Sequence, residues 1–283
     1  MSRWSKLLLA AACILAPAFA ADEAPRVEQV EPRVWACDFQ SAALGAPMRF
    51  LVVLPAGVEP AATKRLPVIY LLHGRGRHER TLLDNAQTKE RLLASPCAVV
   101  LPRGKNAWYV NSPAIPADRY ADYLDEVIAL AERHFPVGNT AKERGIGGWS
   151  MGGYGTAYTV GRRPGAFAAA ATIIGVVDFP RVAIADAGQN YTVPPLYGTD
   201  PEVWRKFNPR LLLPEWRGTA LYVAYATGTP ERQMNEAFIA DARAAGVEME
   251  VLSYEGGHVF PSVEKGLPGA FDFLERKLGF KRP

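Results

Sequence analysis

Residues 148–152 read Gly-Trp-Ser-Met-Gly, and this stretch decides the fold class of the 283-residue chain. The run Ile146–Trp149 that leads into the serine is strand-like, and Tyr154–Val160 beyond it can begin a helix. A serine on a tight strand-to-helix turn needs small residues two positions away on both sides, because the two backbones approach each other closely. Glycine occupies both positions here. The pattern therefore predicts that Ser150 is a nucleophile at one edge of a β-sheet.

Strand-like and helical segments alternate on both sides of this turn. Several of the strand-like runs are apolar throughout, which is typical of strands covered on both faces. The runs are Val34–Phe39, Pro47–Leu54, Leu66–Leu72, Ala98–Leu101, Ile146–Trp149, Ala170–Ile174, Ala220–Ala226 and Met249–Tyr254. The alternation predicts an α/β fold with a mostly parallel, doubly wound sheet of about eight strands and helices on both faces. The first two runs are close enough in sequence to pair antiparallel at one edge.

Helical periodicity is clearest after Pro116, from Tyr120 to Phe135, and recurs at about 233–245 and 270–278. The segment at about 177–219 is different, because it is rich in proline and lies between two predicted strands. In doubly wound sheets, ligands bind beyond the carboxyl ends of the strands. We therefore expect this loop-rich insertion to shape the substrate site.

The first twenty residues have the character of a secretory signal peptide. Arg3 and Lys6 precede the apolar run Leu7–Ala16, and Ala18–Ala20 is a small-x-small cleavage site. The apolar run is too short for a membrane span, which needs about 20 residues. We expect removal of residues 1–20, a single domain over 21–283 with no transmembrane segment, and a periplasmic or secreted location.

Cys37 and Cys97 are the two cysteines that follow the predicted cleavage site. An exported location permits a disulfide, but a domain of this size does not need one for stability. Both residues lie in or beside strand-like runs, where thiols are commonly buried. We expect two buried free thiols, although the sequence does not show whether the two side chains meet.

The composition and the remaining motifs argue against several other functions. Lys and Arg total 32 against 29 Asp and Glu, a net charge of +3, so no nucleic-acid partner is expected. Gly145 and Gly147 begin like a dinucleotide-binding loop, but Ser150 stands where the third glycine belongs. The four histidines are dispersed, and neither H-E-x-x-H nor C-x-x-C occurs. We therefore expect no cofactor and no metal.

His258 is the best candidate for the base that activates the serine. It follows two glycines just after the last predicted strand, where the order serine, acid, histidine requires the base. His78 lies in a charged loop and His134 lies within a helical pattern. His73 ends a predicted strand, and we expect it to shape the loop that follows.

The acid that orients the imidazole has two candidates. In chains of this type it usually follows the seventh strand, here Ala220–Ala226, and the first carboxylate in that loop is Glu231. Glu231 could instead be a simple helix N-terminal residue, favoured there by the helix dipole. Asp178, just after the sixth strand, is the alternative acid. The position after the seventh strand favours Glu231.

Acyl transfer also needs two backbone N–H groups that point at the oxygen on which negative charge develops. One belongs to the residue after the nucleophile, Met151. The other comes from the loop after the third strand, which begins His73-Gly74-Arg75, and we expect the N–H of Arg75 to be the second donor.

Four segments together resemble the esterase D group of α/β-hydrolases, which includes tributyrin, feruloyl and acetyl-xylan esterases, S-formylglutathione hydrolase and mycolyltransferases. The segments are Leu71–Gly74, Trp108–Pro113, Gly148–Gly155 and Gly256–His258. The likeness covers roughly residues 45–278. It implies the α/β-hydrolase fold and a cofactor-free serine carboxylesterase with a Ser-acid-His triad. By matching position it implies Ser150 as nucleophile, His258 as base, and Met151 and Arg75 as oxyanion donors.

One departure from that group concerns the acid, because most members carry aspartate where the first acid here is Glu231.

The leading hypothesis is an exported serine carboxylesterase that acts on a small-molecule or glycan-linked ester through an acyl-enzyme intermediate. The alternatives are a mycolyltransferase-like acyltransferase and a non-catalytic binding protein on a hydrolase scaffold. Acyl and alcohol specificity and the oligomeric state stay open. Five aromatic residues could line the site but could equally be packing: Trp108, Tyr109, Tyr191, Tyr197 and Trp204.

Overall fold

The computed structural model describes residues 24–181, 192–216 and 218–280, so the predicted signal peptide lies outside the described residues. Within these ranges nine strands form one sheet in the order β1-β2-β3-β5-β4-β6-β7-β8-β9. The strands are β1 (Arg26–Glu31), β2 (Val34–Ser41), β3 (Ala46–Val53), β4 (Val68–Leu72), β5 (Ala98–Pro102), β6 (Arg144–Trp149), β7 (Ala169–Ile173), β8 (Ala220–Ala226) and β9 (Met249–Tyr254).

The sheet is antiparallel from β1 to β5 and parallel from β5 through β4 to β9. The predicted doubly wound, mostly parallel architecture is therefore confirmed, together with the antiparallel pairing of β2 and β3. The additional strand, β1, pairs with β2 and is largely exposed along its length. Its sequence has two valines three residues apart among polar residues and so lacks the alternation typical of a half-buried strand, which is why about eight strands were expected and not nine.

Helices cover both faces of the sheet. The helices are α1 (Ala86–Leu93), α2 (Tyr120–His134), α3 (Met151–Arg162), α4 (Pro201–Arg205), α5 (Glu231–Ala244) and α6 (Phe260–Lys277), with short 3-10 turns at Ala141–Glu143, Pro195–Tyr197 and Pro209–Glu215. Along β4 the side chains alternate between two separate buried cores, Tyr70 on one face and Ile69 and Leu71 on the other. Helices α2, α3 and α5 pack on the first face, and α1 and α6 pack on the second.

The two cysteines of the described residues are free and fully buried, as expected. Cys37 belongs to the core under α2, whereas Cys97 belongs to the core under α1 and α6, on the opposite face of the sheet. Burial raises the pKa of each thiol to about 12, because a thiolate would lose its hydration there. Both side chains therefore act as small apolar groups of the core.

The loop-rich insertion after β7 packs against α3, the helix that follows Ser150. The hydroxyl of Tyr154 in α3 donates to the carbonyl of Phe207 at 2.7 Å. Gly161 lies so close to Leu212 that an added Cβ would approach its Cβ to 2.6 Å. The insertion is thus fixed to the same helix that positions the serine.

None of the helices in the described ranges combines the length and the apolar character that a bilayer crossing requires.

Candidate active site

Ser150 lies on the turn between β6 and α3, with a backbone φ of 55° and ψ of −119°. A non-glycine residue in this region is strained, and such strain persists only where the surroundings hold the backbone in place. The N–H of Ser150 donates to the carbonyl of Ile173 at 3.0 Å. A side chain at Gly152 would overlap the carbonyl oxygen of Leu72 and lie 2.8 Å from that of His73. These close approaches explain the glycine and hold the hydroxyl above the sheet.

His258 follows β9 and lies directly beside the serine. Its Nε2 is 2.7 Å from Ser150 Oγ, and its Nδ1 is 2.9 Å from Glu231 Oε1. The second pair is at hydrogen-bond distance, but the ring N–H is turned off the line that joins the two atoms. Catalytic hydrogen bonds are often poorly aligned in the free enzyme and tighten only when substrate binds. With Nε2 as acceptor and Nδ1 protonated, the neutral ring has the tautomer that general-base chemistry needs.

Glu231 is the first residue of α5 and is only 3% exposed. The N-terminus of a helix carries partial positive charge and favours a carboxylate. Asn235, one turn later, donates from Nδ2 to the carbonyls of Glu231 and Gly175, both at 2.9 Å. This amide joins the start of α5 to the chain that follows β7. Asn235 belongs to no sequence motif, and its spacing of four residues from Glu231, which places it on the same face of the helix, is the one signal that could have identified it.

Asp178 is buried as well, but its carboxylate has other partners. It accepts from Asn208 Nδ2 at 2.9 Å and from Arg210 Nη1 at 3.1 Å, and it lies 3.3 Å from Arg181 Nε. These contacts tie the chain after β7 to the 3-10 segment Pro209–Glu215 of the insertion. The structure therefore brings Glu231 to the imidazole and leaves Asp178 in an ion-pair network.

Met151 and Arg75 lie on either side of the serine and line the same cavity. Met151 begins α3, where the first N–H groups of the helix have no intrahelical acceptor. Gly74 packs on the turn, since an added Cβ would lie 3.4 Å from Ser150 Cβ, so the loop that carries Arg75 touches the nucleophile. Within the described residues, neither backbone N–H has a hydrogen-bond acceptor. Both are thus free for an oxygen above Ser150.

His73 holds this loop in place and stays neutral. Its Nδ1 donates to the carbonyl of Gly74 at 2.8 Å, and the N–H of Gly104 donates to its Nε2 at 2.9 Å. The ring is 1% exposed, and burial lowers its pKa to about 4. These contacts agree with the interpretation that His73 shapes the loop. Of the other histidines, His78 is exposed and His134 ends α2.

Two cavities open on either side of Ser150 and His258. The first, which we call the aromatic cavity, has a volume of about 260 Å³ and is walled by Trp108, Val176 and Phe179. The second, which we call the cationic cavity, has a volume of about 360 Å³. Its further lining residues include Arg75, Arg77, Val259, Phe260 and Val263.

Of the aromatic residues that the sequence offered as site candidates, one lines the aromatic cavity and others are packing residues. Trp108 lines the aromatic cavity, and its ring stacks on Phe179 with centroids 4.9 Å apart. Tyr109 and Tyr197 are fully buried packing residues, and Trp204 donates from Nε1 to the carbonyl of Gly198 within the insertion. The remaining one, Tyr191, lies outside the described residues. No cluster of three metal-ligating side chains occurs in the part of the chain that the structure describes.

Comparison with known proteins places the chain among esterases. A family model described as "Putative esterase" matches residues 41–273. The chain belongs to this esterase family. Membership confirms the resemblance to esterases that the sequence motifs indicated, and the fold agrees with it.

The individual relatives are more distant. An esterase of Mycobacterium tuberculosis is 29% identical over 157 residues, which cover 53% of this chain and 34% of that protein. The chain thus spans about a third of the length of this curated relative. An S-formylglutathione hydrolase from Agrobacterium tumefaciens superposes with a TM-score of 0.73 and 17% identity, covering 90% of this chain and 99% of its own. A fluorophosphonate-binding serine hydrolase of Staphylococcus aureus superposes with a TM-score of 0.70 and 20% identity, and the match covers 85% of this chain and 97% of that one. Likeness at these identities concerns the fold.

Proposed function

We propose that the protein is a serine carboxylesterase that hydrolyses small-molecule or glycan-linked esters through a Ser150–His258–Glu231 triad. One observation carries the proposal: the unbroken series of close contacts from Ser150 Oγ to His258 Nε2, at 2.7 Å, and from Nδ1 to Glu231, at 2.9 Å. Membership of the esterase family and two free backbone N–H groups beside the serine support it.

In the acylation step Ser150 Oγ attacks the ester carbonyl, and its proton passes to His258 Nε2. Glu231 stabilises the imidazolium that forms, while the N–H groups of Met151 and Arg75 bind the oxyanion. The imidazolium then protonates the departing alcohol, which leaves an acyl-enzyme. In the second half His258 takes a proton from water, the hydroxide attacks the acyl carbon, and the proton returns to Ser150. No cofactor enters either step.

We further propose that residues 1–20 direct export and are removed, so that residues 21–283 act as one domain in the periplasm or outside the cell. The basic start, the apolar run and the small residues before Ala21 support this location. Sequencing the amino terminus of the exported protein should find Ala21 as its first residue. Recovery of the uncleaved chain from the cytoplasm alone would contradict the proposal.

The activity is tested with short para-nitrophenyl esters, from acetate to octanoate, and with a fluorophosphonate probe. Wild-type protein should hydrolyse the esters and become labelled. Ser150→Ala should lose both properties while its circular dichroism spectrum and melting temperature stay close to those of the wild type. A folded wild type that neither turns over the esters nor reacts with the probe would refute the proposed function, and labelling without turnover would favour an acyltransferase.

A further inference from the structure

The cationic cavity beside the nucleophile contains two arginine side chains without an acidic partner. Arg75 and Arg77 are exposed, and neither forms an ion pair with any residue that the structure describes. Most other arginines of the described residues form an ion pair; for example, Arg103 donates from Nε to Glu79 at 2.8 Å. A guanidinium keeps its charge at every physiological pH. The cavity that adjoins Ser150 and His258 therefore carries two positive charges that have no ion-pair partner among the described residues.

The acids near these arginines have other partners. Glu79 is buried against Arg103, and Asp84, which lies in the depression next to Arg77, pairs with Arg80 at 3.2 Å. Glu231 faces the imidazole of His258. Because no acid lines the cationic cavity itself, its field attracts anions.

The loop that carries the arginines is held at several points. The N–H of Arg77 donates to the carbonyl of Gly74 at 3.2 Å, and the N–H of Gly76 donates to Asn106 Oδ1 at 2.7 Å. The guanidinium of Arg77 lies over the ring of Phe260, with 5.6 Å between its central carbon and the ring centroid. This contact positions the charge at the wall of the cavity, and the apolar surfaces of Val259 and Phe260 line the space beside it.

We propose that the cationic cavity binds an anionic group of the ester substrate, with a carboxylate as the group best matched to the planar guanidinium of Arg77. The natural substrate is then an ester that carries a carboxylate on one side of the scissile bond. The proposal rests on the proposed esterase function, and it names the substrate class that the same site selects.

The test compares charged and neutral esters of matched shape, one pair for each side of the scissile bond. The first pair is para-acetoxybenzoate and para-acetoxybenzamide, and the second is the mono-para-nitrophenyl ester of adipic acid and its terminal amide. Each kcat/KM is divided by the rate of alkaline hydrolysis of the same ester, which removes differences in intrinsic reactivity. In at least one pair the charged ester should be preferred about fivefold, the size expected for a partly exposed ion pair.

Arg77→Gln should remove most of this preference and leave only the part that Arg75 supplies, whereas Arg77→Lys should retain more of it, because a point charge replaces the planar fork. Lys64→Gln is the matched control, since exposed Lys64 precedes β4, whereas Ser150 follows the carboxyl end of the parallel neighbouring strand β6. It should leave the preference unchanged. Added salt should weaken the wild-type preference through screening.

The outcomes separate this inference from the proposed function. If the wild type hydrolyses the neutral esters but prefers the charged ester in neither pair, the inference is wrong and the esterase function stands. A preference that Arg77→Gln leaves intact would also overturn it. If neither neutral nor charged esters are hydrolysed by folded protein, the proposed function itself fails.

Discussion

Replacement of Glu231 by glutamine tests the least expected member of the triad. The substitution keeps the size of the side chain but removes a charge whose oxygen lies 2.9 Å from His258 Nδ1. In the transition state the imidazole is positively charged and spreads this charge over the ring, so the effective separation of the two charges is about 4 Å. At an effective dielectric constant of about 20, two unit charges at that separation attract by about 4 kcal/mol. Since each 1.36 kcal/mol is tenfold in rate, kcat should fall about a thousandfold.

The assay measures kcat and KM for para-nitrophenyl acetate, with a fluorophosphonate titration to count active sites and a thermal melt to confirm folding. KM should change little, because the lost charge stabilises the imidazolium, which forms only in the transition state. Asp178→Asn is the matched control, since Asp178 is equally buried but faces Arg210 and Asn208. It should lower the melting temperature and leave kcat within a few fold. The reasoning is refuted if folded Glu231→Gln keeps more than about a tenth of wild-type kcat, or if Asp178→Asn loses as much as Glu231→Gln.

Two further predictions concern the frame that holds the site. Gly152→Ala should lower the free energy of unfolding by about 3 kcal/mol or more in urea denaturation, because its Cβ would overlap the Leu72 carbonyl. Gly257→Ala, where the nearest atom would be 3.9 Å away, should cost under about 1 kcal/mol, and equal losses would contradict the argument. Burial lowers the pKa of His73 to about 4 in the folded protein. As the pH falls below about 6.5, the unfolded state therefore binds a proton that the folded state does not bind, and the free energy of unfolding decreases. Wild type should therefore lose about 2 kcal/mol more than His73→Gln between about pH 6.5 and 4.5, and parallel urea curves for the two proteins would show that His73 does not cause the loss.

The parts of the fold that sequence predicts are those where burial imposes a pattern. Strands β4, β5 and β8 are apolar because both faces are covered, and α2 shows one clear apolar stripe. Strand β1 escaped prediction because an exposed edge strand needs no apolar alternation. The periodicity near 270–278 marked only the end of α6, which begins at Phe260.

The early part of α6 was missed because glycine and proline normally weaken a helix. In the structure Gly266 and Gly269 allow close packing on the sheet. An added Cβ at Gly266 would approach Ile173 to 2.7 Å, and one at Gly269 would overlap the Tyr222 hydroxyl. Tertiary packing thus overrides local propensity at this helix.

The residues of the candidate site also divide into those that the sequence predicts and those that it does not. Ser150, His258 and Glu231 could be named from motif and chain order, since their roles fix their places relative to the strands. The partners of Asp178 could not be named from the sequence, because Arg210 lies some thirty residues away in an irregular segment. Arg77 gave no signal for a related reason: its importance depends on the absence of an acidic neighbour in space, and sequence does not show which acids are already paired.

The two thiols buried on opposite faces of the sheet supply a built-in probe of how the molecule opens. A maleimide can modify Cys37 only when the face under α2 is exposed, and Cys97 only when the face under α1 and α6 is exposed. Labelling rates measured residue by residue would therefore tell whether the two layers separate together or one after the other. With two cysteines in the described chain, no engineered label is required, and single Cys→Ala variants assign each rate to its layer.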